Sequence, residues 1–387
     1  MPPAVRVMIS CGEPSGDLYA AALAREIRTQ EPSAVLTGFG GARLRAAGAD
    51  LIADFGGLSV TGVLEAARVL PRTYGIYRRL VASARAARPD VLVAIDFPDF
   101  NFTLARALKR LGIPIVYYIS PQLWAWRSGR MKTMRRIADR VLVIFPFEER
   151  IYREAGVPVE WVGHPLLDVM PTPAPRPELA ASLGLTPGVP VLALLPGSRR
   201  NEVRAILPPL AAAAALVRAQ LPDVDVIVPR APYVSDALLA PLASLPGRPA
   251  VIVDGRADDV LAAADVALVA SGTATVQAAL HDCPMVVVYR LSPVTYRIGR
   301  PFVRVNTFAM VNLVAGRAVV PERIQDDFVP ERVAADALAL LTNAAAAAEM
   351  RDALRDVRTR LGGPGASRRA ADAVLAVARG ARAGAMR

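Results

Sequence analysis

The sequence predicts an α/β protein of two doubly wound, Rossmann-like halves, each a parallel sheet wrapped in helices, with further helices at the C-terminal end. Three observations carry this expectation. Short Val- and Ile-rich runs alternate with longer helical stretches along most of the chain. The alternation halts once, at residues 164–177, where Pro165, Pro171, Pro173, Pro175 and Pro177 crowd together. A proline can neither continue a helix nor sit in an internal strand, so this stretch reads as a linker. At 387 residues, finally, the chain is too long for one ordinary core.

In chain order, strands are expected at 5–10, 35–38, 91–95, 115–119, 141–145 and 160–162, with helices such as 17–29 and 102–111 between them. Each strand candidate is short, apolar and bounded by Gly, Pro or Asp, the pattern of strands buried on both faces. Beyond the linker the alternation restarts, with strands at 191–195, 225–228, 251–253, 266–269 and 285–289. From Arg332 the chain is Ala-, Leu- and Arg-rich and reads as helix. The expected organisation is therefore a domain over 1–164, a linker over 165–178, a second domain over 179–345 and a helical segment over 346–387. Two such halves are expected to face a cleft, since doubly wound sheets bind ligands in crevices beyond their strand ends.

Hydrophobic residues make up 53% of the chain and charged residues 21%, enough to bury large cores and too apolar for a disordered chain. The only cysteines are Cys11 and Cys283, too few for a disulfide scaffold and suited to a reducing compartment. The N-terminal residues lack a basic segment followed by a long apolar stretch, and the most apolar window, 260–280, is broken by Asp265 and a Ser-Gly-Thr turn. A soluble or membrane-peripheral protein is expected. The net charge is +11, nearly all of it arginine, because Lys109 and Lys132 are the only lysines. Without lysine clusters this charge argues little for nucleic acid, and its local clustering carries more meaning than its sum.

Several segments stand out chemically. The first strand runs into Gly12-Glu13-Pro14-Ser15-Gly16-Asp17, either a ligand-facing loop at a helix start or an ordinary turn capped by Ser15 or Asp17. A dinucleotide fingerprint is not matched, because the second strand leads into Gly38-Phe39-Gly40-Gly41 with no acidic residue. Asp96 and Asp99 follow a buried strand. Asp96 is the better placed general base for a sugar hydroxyl, and Asp99 or Asn101 the better helix cap. In the second half, Gly197-Ser198-Arg199 forms a turn whose backbone N–H groups and guanidinium suit a diphosphate. Ser271-Gly272-Thr273 forms a second anion cradle between strand and helix. Asp223-Val224-Asp225 spells a metal-binding triplet but reads as turn and strand entry, and no His, Cys or carboxylate cluster has metal-ligand spacing. His164, at a strand end beside the linker, is a candidate ligand contact, whereas His281 reads as structural. Finally, residues 58–80 mix Val60, Leu64, Leu70, Ile76 and Tyr77 with Arg68, Arg72, Arg78 and Arg79. Such a face suits either an interfacial helix on anionic lipid or a helix packed on its own sheet.

Taken together, these segments resemble the lipid-A-disaccharide synthase family over nearly the whole chain. The resemblance rests on Gly12–Asp17, Ile95–Asn101, the run Ser120-Pro121-Gln122-Leu123-Trp124-Ala125-Trp126, Phe145–Glu148 and Val162–Pro165. In the second half it rests on Leu195–Arg199, Ala270–Thr275, Asn312–Arg317 and Val320–Gln325. It implies a GT-B fold and an inverting transfer that needs no metal or other cofactor. The donor would be UDP-2,3-diacylglucosamine, the acceptor 2,3-diacylglucosamine 1-phosphate (lipid X), and the product a β-1,6-linked disaccharide phosphate plus UDP. Asp96 and Arg199 would then be catalytic. Gly197, Ser198, Ser271, Gly272, Thr273, Gln277, Asn312 and Gln325 would hold the donor. Gly12, Glu13, Ser15, Gly16, Asp99 and His164 would line the acceptor side. The enzyme would sit peripherally on the anionic cytoplasmic face of a Gram-negative inner membrane, bind no nucleic acid, and leave a homodimer open. One departure is notable: related transferases often carry Glu where this chain has Gln277, an amide that still accepts through its oxygen but without charge. The competing readings are another GT-B sugar transferase, a UDP-sugar epimerase of the same fold, and a nucleic-acid-binding protein.

Overall fold

A computed structural model describes residues 4–56, 63–123, 129–232, 234–291 and 307–385. Trp124, Trp126 and Arg127 lie outside the described residues, as do residues 58–62 and the side chains of 63–69 in the arginine-rimmed stretch. The chain divides into two compact units, one of Met1–Val169 with Leu361–Arg387, the other of Met170–Pro301 with Val305–Arg360. The break falls inside the proline-rich stretch. That stretch carries a single helical turn, Leu166–Val169, before the helix Arg176–Leu183 begins.

The first unit holds strands β1 (Arg6–Cys11), β2 (Val35–Gly40), β3 (Asp50–Asp54), β4 (Val91–Ile95), β5 (Ile115–Tyr118), β6 (Arg140–Val143) and β7 (Val159–Trp161). They form one parallel sheet in the order β3-β2-β1-β4-β5-β6-β7. Every residue of β4 and β5 is buried, as expected of strands covered by helices on both faces. The order reverses between β1 and β4, whose ends meet at the pair Cys11 and Ile95. The second unit repeats the plan with β8 (Val191–Leu195), β9 (Asp225–Arg230), β10 (Val251–Asp254), β11 (Val266–Ala270), β12 (Met285–Tyr289) and β13 (Glu322–Ile324). Its order is β10-β9-β8-β11-β12-β13, again parallel, so its reversal lies between β8 and β11.

Two strands have no counterpart in the sequence expectation, β3 and β13, and both lie at sheet edges. Their sequences, Asp-Leu-Ile-Ala-Asp and Glu-Arg-Ile, are only partly buried and lack the apolar run that marks an inner strand. The C-terminal helices divide between the units. Helix Ala344–Arg360 packs against helices Thr273–Leu280 and Met310–Ala315 of the second unit. Helix Ala366–Ala385 lies on helix Pro14–Gln30 of the first. It buries Ala370, Ala371, Val374, Leu375 and Ala378, and its Arg382 forks onto both oxygens of Asp90 at 2.6 and 2.8 Å.

Candidate functional site

In each unit most of the residues singled out from sequence lie at the carboxyl ends of the strands beside the order reversal, where doubly wound sheets bind ligands, whereas His164 follows the edge strand β7 and Asn312 and Gln325 flank the edge strand β13. In the first unit, β4 ends in two successive residues with left-handed backbone, Asp96 and Phe97, both at φ 45°. Aspartate visits this region tolerably and phenylalanine rarely, so the turn persists only because its surroundings over-determine it. Asn101, fully buried, supplies the restraint: its Nδ2 donates to the carbonyls of Asp96 at 2.8 Å, Ile95 at 3.1 Å and Ser10 at 3.2 Å. Ser10 Oγ donates to Asn101 Oδ1 at 2.6 Å, and the Tyr117 hydroxyl donates to the Asp96 carbonyl at 2.9 Å. Burial, and then the nearby Asp96 carboxylate, raise Tyr117 well above its ordinary range, so the hydroxyl remains a donor. The Asp96 backbone is thus clamped while its side chain stays half-buried at the sheet edge.

The neighbouring turn after β1 is built to match. Gly12 abuts the Phe97 ring so closely that a Cβ there would lie 2.3 Å from a ring carbon. Glu13 is the N-cap of helix Pro14–Gln30, without a side-chain capping bond. Ser15 is half-buried in its first turn and Gly16 is buried. Asp17 caps a different helix: its carboxylate accepts from the backbone N–H groups of Gly41 at 2.7 Å, Arg43 at 3.0 Å and Leu44 at 3.1 Å, at the start of Ala42–Ala46. Of the two capping alternatives for the sequence 12–17, then, Asp17 is a cap but for its neighbour. Burial, reinforced by Asp17, pushes the Cys11 thiol up, which suits a packing residue and not a nucleophile.

Asp99 lies in the first turn of helix Pro98–Arg110, largely exposed, and pairs with Arg130 at 2.7 Å. His164 is buried between Tyr19 and Phe145, its Nδ1 accepting from the Leu166 N–H at 3.2 Å. Burial pushes its pKa down to about 3, so the ring is neutral.

In the second unit, β8 ends in the turn Pro196-Gly197-Ser198. Gly197 has φ 106°, and a Cβ there would lie 2.7 Å from Glu202 Oε2. That same carboxylate accepts from the Arg199 N–H at 3.2 Å and pairs with the Arg199 guanidinium at 3.2 Å. Glu202 therefore closes the start of helix Arg200–Gln220 and orients Arg199 together. Tyr289, at the end of β12, has its hydroxyl pKa raised by burial and by this same Glu202. Beside β8, the end of β11 leads into Ser271, whose N–H donates to Val288 at 2.9 Å and whose Oγ donates to Phe308 at 3.3 Å. Gly272 and Thr273 are exposed at the start of helix Thr273–Leu280, with open space around Gly272. Such an N-terminus attracts an anion.

Gln277, about one turn further on, donates from Nε2 to Asp258 at 3.2 Å. Asn312 points inward. Its Nδ2 donates to Val320 and Glu322, and its Oδ1 accepts from Val319 and Val320, so every hydrogen-bonding position of the amide is used. Glu322 in turn receives the N–H groups of Phe308 and Ala309 at the start of helix Met310–Ala315. Gln325, left-handed at φ 55°, follows β13 and accepts the Leu291 N–H through Oε1 at 3.0 Å. Asp225 of the acidic triplet is buried and spends its carboxylate on the Thr186 N–H at 2.6 Å and on Arg248 at 3.2 Å, a structural use.

The structure thus brings Gly197–Arg199 and Ser271–Thr273 to adjacent strand ends and Gln325 to the same edge, while Asn312 and His164 serve the frame. Tyr117, Glu202, Tyr289, Glu322 and Asp258 were missed in the sequence. Of these only Glu202 carries a local signal, the three-residue spacing of a helix-capping carboxylate from Arg199.

The comparisons with known proteins follow the same lines. Residues 7–377 match the family model described as lipid-A-disaccharide synthetase. A lipid-A-disaccharide synthase of Myxococcus xanthus is 43% identical over 370 residues, covering 96% of this chain and 97% of its own. One from Anaeromyxobacter dehalogenans is 44% identical over 375 residues (97% and 98%), and one from Geobacter sulfurreducens 42% identical over 373 residues (96% and 96%). Among solved structures, the UDP-GlcNAc 2-epimerase of Neisseria meningitidis bound to UDP-GlcNAc superposes with a TM-score of 0.67 at 10% identity, over 96% of this chain and 99% of that one. The calicheamicin glycosyltransferase CalG4 gives 0.60 at 18% (97% and 98%), and MurG of Acinetobacter baumannii 0.57 at 14% (96% and 99%). These structural likenesses establish the fold, two Rossmann-like units of GT-B type, and no more. With paired parallel sheets, motif residues at both order reversals and a match spanning nearly its whole length, the chain belongs to the lipid-A-disaccharide synthase family.

Proposed function

We propose that the chain joins UDP-2,3-diacylglucosamine to lipid X, releasing UDP and a β-1,6-linked disaccharide 1-phosphate in lipid A biosynthesis. The acceptor's 6-hydroxyl oxygen attacks the donor's anomeric carbon, the bond from that carbon to the diphosphate oxygen breaks, and UDP leaves with the electron pair. The proton passes to a carboxylate, and the anomeric configuration inverts. The observation that carries this reading is the left-handed Asp96, clamped through its backbone by Asn101 and Tyr117 at the carboxyl edge of the first sheet. Such over-determined strain is characteristic of a group held for chemistry, and a half-buried carboxylate is a suitable base. Charge on the departing diphosphate is met by Arg199, which Glu202 orients, and by the exposed helix start at Gly272 and Thr273. Gln277 and Gln325 contribute to the donor side, and Gly12, Glu13, Ser15 and Gly16 to the acceptor side, with Asn312 and His164 acting as framework.

Both substrates carry acyl chains, and helix Val63–Ala87 offers a place to meet them at a membrane. Among its described residues Leu70 and Tyr74 are the exposed large hydrophobics, 64% and 62% accessible, and Arg72, Arg78 and Arg79 line a cavity on the same helix. Among the described residues no single helix is long and apolar enough to cross a bilayer. An apolar tip among arginines suits peripheral docking on the anionic cytoplasmic leaflet of a Gram-negative inner membrane.

The deciding experiment follows product formation by mass spectrometry from both lipid substrates, with EDTA present, for the wild type and Asp96→Asn. Asparagine keeps the left-handed backbone and the shape of Asp96, so the variant should fold normally and lose roughly 100-fold or more in kcat. A fully active Asp96→Asn would remove Asp96 as base. No disaccharide from the wild type in any detergent or lipid would overturn the substrate assignment.

A further inference from the structure

Strand β5 ends in a turn whose backbone is strained and whose hydrogen bonds are buried. Ile119, the residue after the strand, has φ 57°. A β-branched side chain is rare in that region, so the turn stays there only because its neighbours hold it. On one side the strand pairing runs up to it, the Ile119 N–H donating to the Leu142 carbonyl at 3.0 Å. On the other, Tyr152, fully buried in helix Pro146–Glu154, reaches the next two residues. Its hydroxyl donates to the Pro121 carbonyl at 3.1 Å and is also bonded to Ser120 Oγ. A phenol has one proton, so Ser120 donates to the Tyr152 oxygen and the bonds run one way, from Ser120 to Tyr152 to Pro121. Burial pushes the phenol pKa up, which keeps that proton in place. Leu123 closes the turn from its far end: its N–H donates to the Pro121 carbonyl at 2.6 Å, and its side chain is buried in the same core as Tyr152.

The restraint has a chemical sense. Ser120 and Leu123 are buried and Pro121 half-buried, and between them Gln122 is exposed at the carboxyl edge of the sheet. Asp96 ends the adjoining strand: its N–H donates to the Tyr118 carbonyl at 3.3 Å, one residue before the turn. An exposed amide and the half-buried carboxylate read as the base thus follow neighbouring strand ends. The amide carbonyl accepts and its NH2 donates, a match for a hydroxyl, which does both. In 2,3-diacylglucosamine 1-phosphate, ring positions 1, 2 and 3 are substituted and the 6-hydroxyl attacks. The 4-hydroxyl is then the one free ring hydroxyl, two carbons from the reacting end. We propose that Gln122 binds the acceptor's 4-hydroxyl while the 6-hydroxyl meets Asp96, and that Tyr152 holds the turn in place for it. This rests on the proposed roles of Asp96 as base and lipid X as acceptor. Gln122 here is a binding residue, and Tyr152 a positioning residue that acts through it.

The test follows initial rates of the full chain, at saturating donor, on lipid X and 4-deoxy-lipid X, each variant first checked for native unfolding temperature. The wild type should use 4-deoxy-lipid X roughly tenfold less well in kcat/KM, the loss expected of one hydrogen bond. Gln122→Ala should lose roughly tenfold in kcat/KM on lipid X, leave the donor KM unchanged and treat the two acceptors alike. Tyr152→Phe keeps the ring and removes only the hydroxyl. It should raise the acceptor KM severalfold, and the double variant should be no worse than Gln122→Ala alone, because the one residue acts through the other. Losses that add to those of Gln122→Ala, or that weaken donor and acceptor alike, would overturn the positioning role. If the wild type forms disaccharide but uses both acceptors equally, or if Gln122→Ala keeps the wild-type preference, the proposal falls and the lipid X reading stands. If the wild type forms no disaccharide from lipid X, that reading falls and the proposal with it.

Discussion

Single residues in this protein differ sharply in what their chemistry is used for. Asp96 and His164 are both titratable groups at strand ends of the first sheet, yet only the former keeps its side chain at the edge. His164 is enclosed by Tyr19 and Phe145, and burial holds its pKa at about 3 in the folded state. The unfolded chain takes up that proton near pH 6.5. Between those values the unfolded state binds more protons, so stability is intact above pH 6.5 and declines as the pH falls below it, by up to about 1.4 kcal/mol per pH unit from this one group. Acid unfolding of the wild type and of His164→Gln, which retains an acceptor without titrating, should therefore diverge below pH 6.5, the variant losing less with each unit. Parallel curves would mean that the ring is solvated and charged. The sequence marked His164 as a candidate contact from its place beside the linker, and nothing local could reveal the aromatic walls that neutralise it.

At the scale of elements, the turns that end the strands carry the site, and each is stabilised from a distance. Gly197 is required twice over, by φ 106° and by the closeness of Glu202. Gly197→Ala should cost about 1–3 kcal/mol and displace Glu202, raising the donor KM severalfold as well as lowering the melting temperature of the chain. Paired measurements of KM and thermal unfolding separate these effects. Asp17 does comparable work in the first unit by closing the start of helix Ala42–Ala46 with three backbone hydrogen bonds. Asp17→Ala leaves those N–H groups buried and unmet, and a loss of about 2–3 kcal/mol is expected in chemical denaturation. An unchanged midpoint would show that water replaces the carboxylate. Asp17 was legible as a cap in the sequence, but its client helix, some 24 residues on in the chain, was not. Capping across elements depends on strand order, which local spacing does not encode.

For the whole molecule, charge and apolar surface carry the proposed membrane contact. An excess of 11 positive charges, with Leu70 and Tyr74 exposed among arginines, should make binding to vesicles both lipid- and salt-dependent. Sedimentation with vesicles containing anionic lipid should retain the wild type at low salt and release most of it near 0.5 M, a strength at which the Debye length is only about 4–5 Å. Leu70→Glu with Tyr74→Glu should weaken retention at every salt concentration while leaving UDP binding intact, because the helix that carries them belongs to the first unit and the proposed nucleotide residues to the second. Equal retention of the variant would place the membrane contact on another surface.

Sequence alone determined the α/β class, eleven of the strands and the segments that identify the family. These follow from local rules: the apolar runs of strands buried on both faces, the inability of proline to continue them, and glycine-bearing turns at strand ends. The tertiary structure decided the rest. Edge strands β3 and β13 are stabilised by one neighbour only and need no apolar run, so their sequences are silent. The last helix belongs to the first unit because its alanine face fits helix Pro14–Gln30 and Arg382 reaches Asp90, a pairing across 292 residues. The roles of Asn101, Glu322 and Asp258 arise in the same way, because a hydrogen bond between distant residues exists only after the sheets have set their strand order.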